Sequence, residues 1–225
     1  MNFGIIVAGG KSERMGPDVD KAFLNLGTKP VLAYSVLAFE KCHDIDGVIL
    51  VVRKDRLDSA RAMAQMYGCA KVKRVVAGGT SRQGSVMNGL AHVSEDAKIV
   101  AVHDGARPCI TSAYISEIIK TARRCGSAVA ATKITDTIKF VEKGFTISKT
   151  IDRTNLWSVQ TPQAFRMELL KKAFDFVRKK GLSVTDEASA VEHVSDEVHL
   201  VPTLQPNIKI TTADDLVVAA TLLRL

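Results

Sequence analysis

Short apolar segments that alternate with segments of helical length are the feature that most constrains the fold of this chain. Five apolar runs are short enough to be buried strands, at residues 4–8, 48–52, 72–76, 99–102 and 128–132. Helical spacing of apolar residues lies between them, at 30–41, 55–67, 81–93 and 112–125. This alternation predicts an α/β fold, with a mostly parallel sheet and helices on both faces.

The alternation is interrupted between residues 137 and 152. Residues 137–141 and 145–151 have the composition of strands, and Glu142-Lys143-Gly144 between them favours a turn, so we predict a β-hairpin. An isolated hairpin is marginally stable in water, so it must pack on its own domain or on a second subunit. We expect helices again at 167–180 and 212–223, and a last strand at 208–210.

Charge and composition limit the kinds of partner. The net charge is +7, but the basic residues form no tail, and Trp157 is the single tryptophan beside three tyrosines. A dedicated nucleic-acid binder is therefore not indicated, whereas a site for small polyanions fits the positive charge.

Cysteine spacing and hydropathy indicate the compartment. Four scattered cysteines, at 42, 69, 109 and 125, form no C-x-x-C pair, which is typical of reduced thiols in a cytoplasmic protein. No apolar run reaches the ~18 residues of a membrane helix, and the first residues do not resemble a signal peptide. We expect a cytoplasmic protein without a membrane partner.

A glycine pair follows the first apolar run and is followed in turn by basic residues. Gly9-Gly10 precedes Lys11, Arg14 and Lys21, a composition that suits a loop around phosphates. The spacing does not fit the dinucleotide fingerprint G-x-G-x-x-G. It also misses the Walker loop, whose first glycine would fall on Ile5. An ordinary strand-to-helix turn and a nucleotidyltransferase loop remain as alternatives.

Three predicted strands end in residues suited to a ligand site. Gly9-Gly10, Gly78-Gly79 and Asp104 each follow an apolar run. Ligands of such sheets bind beyond the carboxyl ends of the strands. We therefore expect the three loops to converge on one crevice.

Motifs spread along nearly the whole chain point to one family. They are Ala8-Gly9-Gly10 with Arg14-Met15, Gly78-Gly79 with Gln83-Gly84-Ser85, His103-Asp104-Gly105-Ala106-Arg107, Asp136-Thr137, Asp152-Arg153, Thr185-Asp186-Glu187-Ala188-Ser189 and Asn207-Ile208-Lys209. In their order and wording they resemble the 2-C-methyl-D-erythritol 4-phosphate cytidylyltransferase family. The resemblance implies transfer of CMP from CTP to methylerythritol phosphate, with release of pyrophosphate.

The resemblance also implies a fold and a nucleotide site. It implies one Rossmann-like domain of nucleotidyltransferase type over 1–225, with a hairpin arm at about 136–153. Arg14 and Lys21 would be catalytic and stabilise charge on the phosphates. The nucleotide would be bound by Ala8, Gly9, Gly10, Gly79, Ser85 and Asp104. Mg²⁺ would bridge phosphate oxygens, with Asp104 as the candidate carboxylate.

A second set of residues is implied for the sugar phosphate. Arg153 and Lys209 would hold it, and Thr137 would be the contribution of the hairpin. In the family the arm reaches across a two-fold axis, so Thr137 and Arg153 would complete the site of a partner. The resemblance therefore implies a homodimer formed through the arm.

Two departures from the family pattern stand in the first loop. The family usually has A-A-G where this chain has Ala8-Gly9-Gly10, and P-K-Q where this chain has Asp20-Lys21-Ala22. The lysine is kept, but no proline fixes its approach. No function for Asp18 or Asp20 follows from the sequence.

Two other functions fit part of the pattern. A ribitol 5-phosphate cytidylyltransferase shares the fold, but that family has D-A-V-R where this chain has Asp104-Gly105-Ala106-Arg107. A catalytically silent nucleotide-binding protein would be expected to have lost Arg14, Lys21 or Lys209, and all three are present.

Overall fold

A computed structural model describes residues 1–10 and 20–225 of the chain. In these ranges the strands are β1 (Asn2–Ala8), β2 (Asn25–Leu26), β3 (Lys29–Pro30), β4 (Gly47–Val52), β5 (Val72–Ala77), β6 (Ile99–Asp104), β7 (Ser127–Lys133), β8 (Ile138–Phe140), β9 (Lys149–Ile151), β10 (Trp157–Arg166) and β11 (Leu200–Pro202). Within the described part, seven of these strands form one sheet in the order β11-β7-β10-β6-β1-β4-β5.

Helices cover both faces of this sheet. They are α1 (Val31–Lys41), α2 (Leu57–Met66), α3 (Arg82–Leu90), α4 (Ser112–Cys125), α5 (Met167–Lys180), α6 (Glu187–Val191) and α7 (Ala213–Leu223). Successive residues of β1 point to opposite faces, so Ile6 packs with Phe39 of α1 while Ile5 packs with Leu170 of α5. The predicted α/β fold, with helices on both faces of a mostly parallel sheet, is confirmed.

Strand β10 is the exception to the parallel arrangement. It runs antiparallel to both β6 and β7, with Gln163 opposite Val102 on one side and Val129 on the other. The chain leaves β7, passes through the hairpin and returns in the opposite direction, so no crossover helix is needed. As a result, the start of β10 lies at the carboxyl end of β6.

The strand predicted at residues 208–210 is wrong. Its backbone bonds to the loop after β6 instead of to a strand, because the N–H of Ile210 donates to the carbonyl of Ala106 at 2.8 Å. The Asn207 amide is tied to the carbonyl of Thr161 at 2.8 Å. The edge strand beside β7 is β11, which the sequence reading missed.

The predicted hairpin is confirmed, with shorter strands than expected. β8 and β9 pair antiparallel over three residues each, from Ile138 opposite Ile151 to Phe140 opposite Lys149. The turn region includes Gly144 at a φ of 65°, which favours glycine. We use the term hairpin arm for residues 136–153.

Length and hydropathy of the helices also bear on membranes. Across the described ranges, no helix is both long and apolar enough to span a bilayer.

Candidate functional site

A cavity of about 540 Å³ lies at the carboxyl ends of β1 and β6. Most of the site residues predicted from the sequence line it: Ala8, Gly9, Gly10, Lys21, Gly79, Ser85, Asp104 and Lys209. The structure therefore brings the three strand-end loops and the loop before α7 to one place, which we call the Asp104 crevice.

Close packing shapes the glycine loop after β5. A Cβ on Gly78 would lie 2.9 Å from Ser85 Oγ, and one on Gly79 would lie 2.9 Å from the carbonyl carbon of Gly84. Ser85 Oγ accepts a hydrogen bond from Gly79 N at 3.0 Å and donates to Ser81 O at 2.9 Å. The Ser85 hydroxyl thus joins the loop to the first turn of α3, and only glycine fits where the two segments meet.

Asp104 ends β6 and is held by charged groups from three parts of the chain. Arg82 Nε donates to its Oδ1 at 3.1 Å, and Lys209 Nζ donates to its Oδ2 at 2.7 Å. Arg107 Nε lies 3.9 Å from the same Oδ2. Burial alone would raise the pKa of Asp104, but Arg82, Lys209 and Arg107 hold it well below its usual range. Asp104 is therefore ionised.

Arg82 and Glu187 are site residues that sequence reasoning misses. Each is the first residue of its helix, α3 and α6. The Arg82 guanidinium donates from Nη1 and Nη2 to the two Glu187 oxygens at 2.8 and 3.0 Å, while its Nε holds Asp104. Burial would lower the pKa of Arg82, but Glu187 and Asp104 raise it. The sequence offered one signal for this pair, the T-D-E motif at 185–187. Its Glu187 is 1% exposed, and a buried carboxylate needs a charged partner.

Lys209 reaches the crevice from the loop that precedes α7. Arg107 Nη1 donates to Asn207 O at 2.7 Å, and Ile210 N donates to Ala106 O at 2.8 Å. Bonds on both sides of Lys209 therefore dock its backbone on the segment after β6. These bonds hold the backbone of Lys209 in one position, although the loop has no regular secondary structure.

The two predicted catalytic residues differ in what the structure describes. Lys21 is half-buried on the wall of the crevice, just before the segment that enters α1. Arg14, like Lys11, lies outside the described residues.

Thr137 and Arg153 are not brought into the crevice of their own chain. Both lie exposed on the hairpin arm, and neither lines the cavity. Arg153 donates from Nη1 to the carbonyl of Thr135, which fixes it along the base of the arm.

His103 lies beside Asp104 but is unsuited to act as a base. It is fully buried, and its Nδ1 lies 3.1 Å from Thr161 Oγ1 while its Nε2 lies 3.3 Å from Arg107 O. Because the Arg107 carbonyl can only accept, Nε2 carries the proton and Nδ1 accepts from the Thr161 hydroxyl. The same hydroxyl accepts from Asp104 N at 3.0 Å. Burial lowers the pKa of His103 to about 4. The imidazole is neutral and structural.

The described residues of the crevice suit only a metal ion that needs few protein ligands. The described residues contain no cluster of three His, Cys, Asp or Glu side chains that could hold an ion. Asp104 supplies one carboxylate, while the other acid on the described wall, Asp20, has a buried side chain. A single carboxylate suits Mg²⁺ that is bound mainly by phosphate oxygens and water.

Comparison with known proteins gives one consistent result. The model of the family described as "IspD: 2-C-methyl-D-erythritol 4-phosphate cytidylyltransferase" matches residues 3–225. A relative of that name from Alkaliphilus oremlandii is 40% identical over 221 residues, covering 98% of this chain and 94% of the relative. Another from Desulforamulus reducens is 41% identical over 224 residues, with the same coverage of both chains.

Solved structures agree with the sequence matches. The crystal structure of 4-diphosphocytidyl-2C-methyl-D-erythritol synthase from Anaerococcus prevotii superposes with a TM-score of 0.86 at 28% identity. The superposition covers 100% of this chain and 96% of that one.

Proposed function

The chain belongs to the 2-C-methyl-D-erythritol 4-phosphate cytidylyltransferase family, and from that premise we propose how its residues carry out the reaction. The enzyme transfers CMP from CTP to 2-C-methyl-D-erythritol 4-phosphate in the non-mevalonate route to isoprenoid precursors. The products are 4-diphosphocytidyl-2-C-methyl-D-erythritol and pyrophosphate. The observation that carries the residue assignment is the convergence of Lys21, Lys209 and the Arg82–Asp104 pair on one glycine-lined crevice.

The chemistry needs no general base. A phosphate oxygen of the sugar phosphate attacks the α-phosphorus of CTP, a new P–O bond forms, and the bond to the β-phosphate breaks. The nucleophile is already anionic near neutral pH, so no proton is removed. A neutral, buried His103 is consistent with this scheme. The barrier lies in bringing two polyanions together, and catalysis depends on positioning and charge neutralisation.

Lys21 and Lys209 supply the positive charge. Lys21, with Arg14, stabilises negative charge on the α-phosphate and the departing pyrophosphate. Lys209 holds the phosphate of the acceptor, at a position fixed by its bond to Asp104. Asp104 therefore orients the Lys209 ammonium in addition to balancing its charge.

The glycine loops bind the nucleotide through backbone groups. A Cβ on Gly10 would meet no described atom within 4 Å, so protein packing does not require glycine there. A close approach of ligand to backbone supplies the reason. Gly9, Gly79 and Ala8 continue the same wall, and Ser85 keeps it in shape.

Mg²⁺ is the cofactor that we propose, with Asp104 as its protein ligand. When bound, it would neutralise charge on phosphate oxygens. The Arg82 and Lys209 bonds keep the Asp104 carboxylate ionised, as a metal ligand must be.

The acceptor site is completed by a second copy of the chain. We assign Thr137 and Arg153 of a partner's hairpin arm to the sugar phosphate, since both are exposed and neither lines the crevice of its own chain. The working unit is thus a homodimer of single-domain chains, 1–225, with arms at 136–153. We place it in the cytoplasm, where its four unpaired cysteines would stay reduced.

Pyrophosphate release tests the assignment most simply. The purified chain is supplied with CTP, Mg²⁺ and either methylerythritol 4-phosphate or ribitol 5-phosphate. We expect turnover with the first acceptor and little with the second. Preference for ribitol 5-phosphate would overturn the acceptor assignment. In the Lys209→Ala variant, the KM for the acceptor should rise more than the KM for CTP, and the reverse would show that Lys209 serves the nucleotide.

A further inference from the structure

Asp20 is a buried acid on the wall of the Asp104 crevice, directly before Lys21. Its side chain is 2% exposed. A negative charge beside a triphosphate site opposes binding unless the protein offsets it. The contacts of Asp20 therefore call for a physical account.

The Asp20 side chain closes a turn around Lys21. Its Oδ1 accepts a hydrogen bond from Ala22 N at 3.1 Å, two residues on. Its main-chain carbonyl accepts from Phe23 N at 3.0 Å. Aspartate often stabilises turns by accepting from its own backbone in this way. Lys21 is the residue enclosed by both bonds.

The turn is fixed to a core helix. The carbonyl of Ala22 accepts from Leu32 N at 2.9 Å, and that of Leu24 accepts from Val31 N at 2.9 Å. These donors are the first two N–H groups of α1, which have no partner within the helix. The backbone that carries Lys21 is therefore tied at one end to a buried helix and closed at the other by Asp20.

A cation from the segment after β4 lies near the second carboxylate oxygen of Asp20. Arg56 Nε lies 3.5 Å from Oδ2, and Arg56 belongs to the 3₁₀ helix Lys54–Arg56 that follows β4. The Arg56 guanidinium also lies 5.5 Å from the ring of Phe23, which holds it on the same turn. Arg56 thus offsets part of the Asp20 charge.

We propose that Asp20 is a positioning residue for Lys21. Its carboxylate closes the turn that presents the lysine ammonium to the phosphates, and Arg56, 3.5 Å from that carboxylate, offsets part of its charge. The inference rests on the proposed role of Lys21, because positioning matters only if the ammonium acts on the reacting phosphates.

Asp20→Ala and Asp20→Asn separate the turn from the charge. Alanine removes the acceptor for Ala22 N, and we expect kcat at saturating substrates to fall about tenfold with little change in the KM for the acceptor. Asparagine keeps that acceptor without the charge, and kcat should stay within about threefold of wild type. Asp55→Asn is the matched control, because Asp55 is exposed, lies 3.9 Å from Arg56 and takes no part in the turn. It should leave kcat unchanged.

A double-mutant cycle shows whether Asp20 acts through Lys21. In a Lys21→Ala background, Asp20→Ala should lower kcat by less than about twofold, because the group it positions is gone. An equal tenfold loss in both backgrounds would mean a general structural effect and overturn the inference.

Two further measurements keep the result decisive. If Asp20→Ala does not fold, Asp20→Glu replaces it, since the longer side chain keeps the charge but not the two-residue turn. An active glutamate variant beside an impaired asparagine variant would show that charge matters instead, against the proposal. Wild type is assayed in parallel with CTP and methylerythritol 4-phosphate. If wild type is inactive, the proposed function itself fails. If wild type is active and Asp20→Ala is unaffected, only the role of Asp20 is contradicted.

Discussion

The Asp104 crevice and the hairpin arm both carry residues that we assign to substrate, but they are built differently. In the crevice the acids are buried, with Glu187 1% and Asp104 7% exposed, and each is bonded to cations from distant segments. On the arm, Thr137 and Arg153 are exposed, and Phe145 protrudes completely.

The difference separates a region held by its own chain from a region that is exposed. Ion pairs with buried acids fix Arg82 and Lys209 before any substrate arrives. The arm exposes three large apolar side chains, Phe140 by 46%, Ile147 by 58% and Phe145 completely. Exposed apolar groups on a short hairpin fit a surface that becomes covered in an assembly.

The largest contrast should appear in turnover. Lys21→Ala removes a cation that acts on the reacting phosphates, so kcat should fall by on the order of 10²–10³ at saturating substrates. Arg153→Ala should instead raise the KM for the acceptor, with a smaller effect on kcat. Steady-state kinetics with each substrate varied in turn measure both. Lys54→Ala, an exposed lysine outside the crevice, is the control, and unchanged turnover in Lys21→Ala would contradict the charge-neutralisation mechanism.

Stability should separate the two regions next. Glu187→Gln removes one of the two carboxylate partners of the half-buried Arg82 guanidinium and leaves Asp104 as the other, so the free energy of unfolding should fall by about 2 kcal/mol. Arg153→Ala, on the exposed arm, should change it by less than about 0.5 kcal/mol. Urea unfolding measures both, with Glu192→Gln, an exposed acid directly after α6, as the matched control. Equal effects of Glu187→Gln and Glu192→Gln would show that the Arg82 pair is not structurally important.

Acid should lower the free energy of unfolding through His103, which lies beside the crevice. The hairpin arm contains no histidine and should contribute no such effect. Burial lowers the pKa of His103 to about 4, below the ordinary value of 6.5. The unfolded chain therefore binds the extra proton between these values. The contribution of neutral His103 to the free energy of unfolding is complete above about pH 6.5. It is lost as the pH falls toward 4, by roughly 3 kcal/mol in total. In urea unfolding at several pH values, His103→Gln should flatten this dependence and the exposed His92→Gln should not; an unchanged slope in His103→Gln would refute the assignment.

Local pattern predicted the fold well where one element decides its own structure. The bounds of α4 and α5 agree with the sequence expectation, because amphipathic spacing and a following glycine define each helix. The strand predicted at 208–210 is wrong because apolar and polar residues alternate there as in a strand. The backbone of Ile210 instead bonds to Ala106 in the loop after β6, a tertiary contact that local sequence does not reveal. β10 was missed since its direction depends on the arm that precedes it.

The site was predictable to a similar extent. The glycine loops, Asp104 and Lys209 follow from strand ends and family motifs, and the structure places them together. The Arg82–Glu187 pair joins residues 105 positions apart, so neither side chain shows its burial in the local sequence. The role of Asp20 likewise depends on Arg56 from another loop.

Mixing two impaired variants, assayed at an acceptor concentration well below the KM of Arg153→Ala, tests most directly whether the crevice of one chain works with the arm of another. Lys21→Ala chains keep an intact arm, and Arg153→Ala chains keep an intact crevice. After denaturation and refolding together, each mixed dimer should contain one intact site, and turnover should recover to about a quarter of wild type at equal amounts. Variants refolded separately and then combined in the assay serve as the control. If co-refolded chains form dimers but show no more activity than this control, crevice and arm act within one chain and the shared site is wrong.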